Sequence, residues 1–147
     1  MAKLDGKGLT MTRGPCLYQS TRGGEKGLRF EDILLRAYAS DGGLYVPETV
    51  PFLTQAELRS WAGLSFPSVC ARVVALYTDL DLGLCEGMTS RAFSSFNGGG
   101  SNPPLPLKEV GGFTVLETGE GPTLAFKDIG QQVVAQLLNH VLGWVEG

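Results

Sequence analysis

The sequence predicts an α/β protein in which a mostly helical amino-terminal domain precedes a strand–loop–helix unit. Three observations predict this class. Apolar residues recur at helical spacing early in the chain, a stretch rich in glycine and proline at 98–104 interrupts them, and a short strand and a long apolar helix follow. We therefore predict a domain at 17–97, a linker at 98–104 and the start of a second domain at 105–147. Residues 1–16 are polar and glycine-rich and are expected to be disordered or tag-like.

The predicted amino-terminal domain begins with a short strand at 17–21. The next element is an amphipathic helix with one apolar face, formed by Phe30, Ile33, Leu34 and Ala37. The residues at 41–43 end this helix, because two successive glycines permit backbone conformations with positive φ. A second strand at 44–46 then stops at Pro47.

Three further helices are predicted before the linker. Thr54 and Glu57 have the spacing of a capping box, which starts the first of them, and Ser65 is a suitable N-cap for the second. The second helix has an expected buried stripe formed by Val69, Val73 and Leu76. The third helix spans about 85–96, and its expected inward residues are Met88, Ala92, Phe93 and Phe96.

The unit after the linker contains a strand at 113–116, which a turn at Gly111-Gly112 could join to 104–107 as a hairpin. A tight loop at 119–123 leads into a helix at about 124–144, which has no formally charged residue after Asp128 until Glu146. A surface helix normally carries charge on its outer face, so this helix requires cover on most sides, as on a parallel sheet. The chain contains no such sheet. We therefore expect the chain to be truncated relative to its fold, and to self-associate through the 124–144 helix.

Composition narrows the classes of partner. The net charge of −3 and the absence of a concentrated basic face argue against nucleic-acid binding. The three cysteines form no Cys-x-x-Cys motif, so no metal site is predicted. No apolar segment has the length of a membrane span or a signal peptide, which predicts a cytoplasmic protein and leaves organelle import open.

Lys127 is the candidate catalytic and cofactor-binding residue. It lies in the predicted first turn of the 124–144 helix, after a strand and a Gly-Pro loop. Burial and the positive end of the helix dipole both penalise a charged amine, which would favour the nucleophilic form suited to a Schiff base. Asp128 beside it is placed to accept hydrogen bonds from free amides at the helix start. From these local features alone, an ordinary surface lysine that extends into water is an equally good interpretation.

The residues around Lys127 resemble the cofactor-lysine motif of the threonine synthase family. All eight positions match, in the order Gly121-Pro122-Thr123-Leu124-Ala125-Phe126-Lys127-Asp128. Earlier blocks are similar to the family in the same order. They are Tyr18-Gln19-Ser20-Thr21-Arg22-Gly23, then Ala39-Ser40-Asp41-Gly42-Gly43-Leu44-Tyr45-Val46-Pro47, then Trp61 with Leu64-Ser65-Phe66.

This resemblance implies a fold-type-II pyridoxal-phosphate enzyme in which Lys127 forms the Schiff base with pyridoxal 5'-phosphate and later transfers protons at substrate carbons. It implies a carbon–oxygen lyase that eliminates phosphate from a small phosphorylated hydroxy-amino acid, of the O-phosphohomoserine or O-phosphothreonine type. Glu120 departs from the family, which usually has histidine there. The family's phosphate-binding loop lies beyond residue 147, so we expect this chain alone to be inactive. The alternative is a truncated, non-catalytic form that acts as an interaction module.

Overall fold

The computed structural model describes residues 14–99 and 103–143, and it confirms the α/β class. Within this part of the chain the elements are, in order, β1 (Tyr18–Ser20), α1 (Phe30–Leu34), β2 (Tyr45–Pro47), α2 (Gln55–Ser60), α3 (Phe66–Tyr77), α4 (Leu82–Ala92), a 3-10 turn (Phe96–Gly98), β3 (Leu107–Val110), β4 (Phe113–Leu116) and α5 (Asp128–Val141). The predictions for residues 1–13, for 100–102 of the linker and for the helix end at 144 lie outside the described residues.

Both predicted short strands of the amino-terminal region are present, and they form one antiparallel pair. Ser20 of β1 lies opposite Tyr45 of β2. The helix between them is shorter than predicted, because α1 ends at Leu34 and Ala37 is exposed. The chain instead folds back so that the N–H of Ala39 donates to the carbonyl of Gly43 at 2.9 Å, and Ala39 takes the buried position.

Both predicted helix caps are confirmed. The hydroxyl of Thr54 accepts from the N–H of Glu57 at 3.1 Å, and the Glu57 carboxylate accepts from the N–H of Thr54 at 2.7 Å, which makes a reciprocal capping box for α2. Ser65 caps α3 by accepting from the N–H of Ser68 at 3.3 Å. These contacts satisfy N–H groups that have no partner inside the helix.

The hydrophobic core forms where α4 meets α3 and α5. The predicted inward residues of α4 and the turn after it are all confirmed as buried, and they pack with two residues of α5; the set is Met88, Ala92, Phe93, Phe96, Val133 and Leu137. The ring of Phe93 makes edge-to-face contacts with Phe66, at 4.9 Å between centroids, and with Phe96, at 5.1 Å. Such arrangements are favoured by the quadrupoles of the rings.

The predicted buried stripe of α3 is wrong, because Val73 is exposed and Ala71 is fully buried. The residues of α3 that pack on the core are Phe66, Cys70 and Val74. This helix is apolar on several sides, so the spacing of apolar residues alone could not identify which face is buried. The contact between Phe66 and Phe93 selects it.

The hairpin β3–β4 is confirmed, although β3 begins at Leu107, later than the predicted 104–107 segment. Gly111 and Gly112 form its turn with φ of 58° and 84°, which a side chain would disfavour. Every residue of both strands is exposed. No helix within residues 14–99 and 103–143 combines the length and apolar character needed to cross a membrane.

Candidate functional site

Lys127 lies at the N-cap of α5 and not in its first turn. The predicted helix start at Leu124 is wrong, because α5 begins at Asp128 and residues 124–127 form turns. Leu124 has φ of 61°, in the left-handed region, so it cannot belong to a right-handed helix. The expected burial of Lys127 is also wrong, since its side chain is exposed. One face of α5 carries the buried Val133 and Leu137, so the helix is covered on one side and not on most sides.

Asp128 is the buried polar residue of this segment, with 2% of its surface exposed. One carboxylate oxygen accepts from the N–H of Thr123 at 2.8 Å, and the other accepts from the Thr123 hydroxyl at 2.7 Å. Asp128 therefore does accept from a backbone amide, but that amide belongs to the loop at Thr123 and not, as had been expected, to the first turn of α5. Gly121 lies against the same carboxylate, because a Cβ there would come within 2.9 Å of the carboxyl carbon of Asp128.

A tight turn links these contacts to Lys127. The N–H of Leu124 donates to the carbonyl of Gly121 at 3.0 Å, with Pro122 second in the turn, where its fixed φ fits. A left-handed conformation costs a residue such as Leu124 about 1–2 kcal/mol. The conformation is held from both sides. Thr123 is bound by the Asp128 carboxylate, and the carbonyl of Ala125 accepts from the N–H of Asp128 at 3.0 Å.

The loop before Lys127 is fastened to the helical region by Asn97. The N–H of Asn97 donates to the carbonyl of Glu120 at 2.8 Å, and its side-chain amide donates to the carbonyl of Pro103 at 3.0 Å. Sequence reasoning missed this role and assigned Asn97 to the end of the helical domain. A usable signal was present, since asparagine before two glycines favours a left-handed conformation, and Asn97 has φ of 48°.

The amine of Lys127 is accessible. Within the described parts of the chain, the structure gives its Nζ no hydrogen bond or ion pair. Lys108 provides a contrast, because its Nζ lies 2.7 Å from the Glu117 carboxylate. That hydrogen bond raises the pKa of Lys108 above its ordinary value. The lysine of the motif therefore has an exposed amine with no partner among the described residues, whereas the hairpin lysine is paired with a carboxylate.

The two earlier motif blocks meet at Asp41. Its carboxylate accepts from the Ser20 hydroxyl at 2.7 Å and from the N–H groups of Gly43 and Gly24, each at 2.8 Å. These bonds, the Ser20 bond foremost, hold the pKa of Asp41 below its ordinary value. Arg22 donates to the Asp41 carbonyl at 3.2 Å. The cluster fastens β1 to the loop before β2.

Comparison with known proteins gives consistent matches. The family model described as threonine synthase N terminus matches residues 17–93. Threonine synthase of Pseudomonas aeruginosa is 41% identical over 131 residues, which cover 85% of this chain and 27% of that protein. Threonine synthase-like 2 of Rattus norvegicus is 38% identical over 128 residues, covering 85% of this chain and 26% of that protein.

Solved structures give the same result for the fold. The structure of PLP-bound threonine synthase from Brucella melitensis matches with a TM-score of 0.80 at 35% identity, over 88% of this chain and 28% of that one. Threonine synthase from Escherichia coli matches with a TM-score of 0.76 over 86% of this chain, and at 23% identity it supports the fold alone. The chain thus spans little more than a quarter of the length of these relatives.

Proposed function

The chain belongs to the threonine synthase family, and from this premise we propose that it supplies the cofactor-attachment lysine of a pyridoxal-phosphate-dependent lyase. The residue in question is Lys127. The observation that carries the proposal is the eight-residue motif ending at Asp128, whose lysine has an exposed amine without a partner among the described residues. The threonine synthase from Brucella melitensis is described as PLP-bound, which supports pyridoxal 5'-phosphate as the cofactor.

The residues around Lys127 fit this group. Covalent attachment needs an amine that an aldehyde can reach and that no carboxylate holds. Asp128 is adjacent to Lys127 in sequence, yet both of its carboxylate oxygens accept hydrogen bonds from Thr123. Its carboxylate therefore binds the loop. When bound, the cofactor supplies an electron sink for negative charge that develops on a substrate carbon.

Lys127 has two tasks in the proposed reaction. Its Nζ holds the cofactor, and when Nζ is released it takes a proton from a substrate carbon and returns one later. The α5 helix fixes the backbone at Lys127, so only the flexible side chain moves between these tasks.

The proposed substrate is a small phosphorylated hydroxy-amino acid, of the O-phosphohomoserine or O-phosphothreonine type. Elimination breaks the carbon–oxygen bond to phosphate, removes a proton from the neighbouring carbon and releases inorganic phosphate. Membership of the threonine synthase family supports this reaction class. Because the chain spans 27% of its Pseudomonas aeruginosa relative, we assign the reaction to a full-length enzyme that contains this chain and expect the chain alone to be inactive.

Replacement of the lysine tests the assignment. In the full-length enzyme, Lys127→Ala should abolish borohydride-stable attachment of the cofactor and the release of phosphate, because no other amine occupies this position. The fold should persist, since the side chain is exposed. Lys108→Ala is the matched control and should retain both properties. A Lys127→Ala enzyme that still holds the cofactor covalently would assign the attachment to another lysine.

We also propose that the isolated chain associates with a second copy of itself through the outer face of α5, which would make it an interaction module in the absence of the rest of the enzyme. Val134 and Leu142 are exposed on this face. Exposed apolar area of this kind favours association. Sedimentation velocity should show a concentration-dependent oligomer that Val134→Glu dissociates and that Val73→Glu, at a similarly exposed valine on α3, leaves unchanged. A wild-type monomer at every concentration contradicts the proposal.

A further inference from the structure

We infer that Asp128 is a positioning residue for Lys127, because its contact with Thr123 sets the residue at which α5 begins. The inference rests on the proposed function, in which Lys127 is the attachment residue. Asp128 itself touches neither cofactor nor substrate in this scheme. It acts through the loop that precedes the lysine.

The local sequence supports two different helix starts. Leu124, Ala125 and Lys127 have good or moderate helix propensity, and Thr123 before them is a preferred N-cap residue. A helix that began at Leu124 would use the Thr123 hydroxyl as an acceptor for its free amides. In the structure that hydroxyl donates to the Asp128 carboxylate at 2.7 Å, and α5 begins at Asp128 instead. The observed loop excludes the earlier helix start, because Leu124 has φ of 61° and cannot belong to the first turn of a right-handed helix.

The observed start is held by contacts that close around Leu124. The Asp128 carboxylate binds Thr123 on one side of it, and the Asp128 N–H donates to Ala125 on the other. Gly121 makes this possible, because a Cβ there would overlap the Asp128 side chain. A strained left-handed residue persists only where its surroundings over-determine it, and Asp128 takes part in the contacts on both sides.

The helix start decides how the amine of Lys127 is presented. A side chain on a helix lies over the turn that precedes its own Cα. With α5 beginning at Asp128, no complete α-helical turn precedes Lys127, and its side chain is exposed. With a helix from Leu124, the aliphatic stem of Lys127 would lie over a complete turn and the amine would be less accessible.

Backbone chemical shifts of residues 124–127 test where the helix begins. We expect Asp128→Ala to move the first helical residue from Asp128 to Leu124. The double variant Asp128→Ala/Leu124→Gly should restore the turn, since glycine accepts positive φ. Gly121→Ala should expel the carboxylate from the opposite side and reproduce the shift. Gly130→Ala is the matched control, because a Cβ there meets nothing within 4 Å, and it should leave the start unchanged.

Covalent labelling tests whether a change in the helix start alters the accessibility of the Lys127 amine. Each variant of the full-length enzyme is incubated with pyridoxal 5'-phosphate, the C=N bond is reduced with borohydride, and labelled peptides are quantified against the exposed Lys26. The ratio of label at Lys127 to label at Lys26 should fall roughly twofold or more in Asp128→Ala and Gly121→Ala. It should recover in the double variant. If Asp128→Ala does not fold, Gly121→Ala decides both readouts.

The outcomes separate the two proposals. A wild-type full-length enzyme with no label at Lys127 contradicts the proposed function, whatever the helix start. A wild-type full-length enzyme labelled at Lys127, together with variants whose helix start or labelling ratio does not change, overturns the positioning role of Asp128 and leaves the attachment role standing.

Discussion

In the helical region Phe96 is 1% exposed, whereas in the β3–β4 hairpin Phe113 is 75% exposed. Both segments are rich in apolar side chains. In the helical region the apolar side chains pack between α3, α4 and α5, whereas every residue of the two hairpin strands is exposed. A two-stranded hairpin without cover is marginally stable in water.

This difference shows that stability and proposed chemistry are separated along the chain. The helical region contains most of the buried core, while the lysine motif follows directly after the exposed hairpin. The motif is held to the core through α5 and through the hydrogen bond from Asn97 to Glu120. The same substitution should therefore lower stability more in the helical region than in the hairpin.

The largest expected contrast comes from removing one phenyl ring in each region. Phe96→Ala should lower the free energy of unfolding by about 3–5 kcal/mol, because it leaves a cavity beside Phe93. Phe113→Ala should change it by less than about 0.5 kcal/mol, since the ring is already in water. Urea denaturation followed by far-UV circular dichroism measures both. Similar losses for the two variants would mean that the hairpin ring is covered in solution.

A smaller contrast comes from removing one hydroxyl in each region. Thr89 is fully buried on α4, and its hydroxyl donates to the carbonyl of Pro67 on α3 at 2.9 Å and to that of Cys85 at 3.0 Å. Thr89→Val should destabilise by about 1 kcal/mol.

The matched hairpin change is Thr114→Val, which loses a hydrogen bond to Glu109 in solvent. It should alter stability by less than about 0.5 kcal/mol, because valine suits an exposed strand equally well. Thermal unfolding of both variants measures the two changes in melting temperature. Equal shifts in melting temperature would contradict the assignment of Thr89 as a buried tie between α3 and α4.

The smallest effect is expected at Asp41 and depends on pH. Hydrogen bonds from Ser20, Gly43 and Gly24 hold the pKa of Asp41 below its ordinary value of 3.8 in the folded chain. The stabilisation is therefore complete above that value and is lost as the pH falls through the lower folded pKa. The melting temperature of Asp41→Asn should lie below that of wild type at neutral pH, and the difference should shrink below about pH 4. Ser20→Ala should weaken the same pH dependence; a difference that grows on acidification contradicts the mechanism.

Much of the fold followed from short-range patterns. The capping box of Thr54 and Glu57, the Ser65 cap and the hairpin turn at Gly111-Gly112 were all predicted, because each depends on residues a few positions apart. The inward residues of α4 were also predicted, since polar residues on its other faces left one choice. The face of α3 could not be predicted in this way, because apolar residues occupy several sides of that helix.

The sequence by itself determined the α/β class, the caps, the hairpin and the motif that carries Lys127, since these depend on residue type and local spacing. Only the tertiary structure decided that α5 begins at Asp128, that Lys127 is exposed, and that α5 is covered on one side. The physical reason is that local propensity allowed two helix starts, one at Leu124 with Thr123 as its cap and one at Asp128. The contacts of Asp128 with Thr123 and Gly121, and of Asn97 with Glu120, favour the second start.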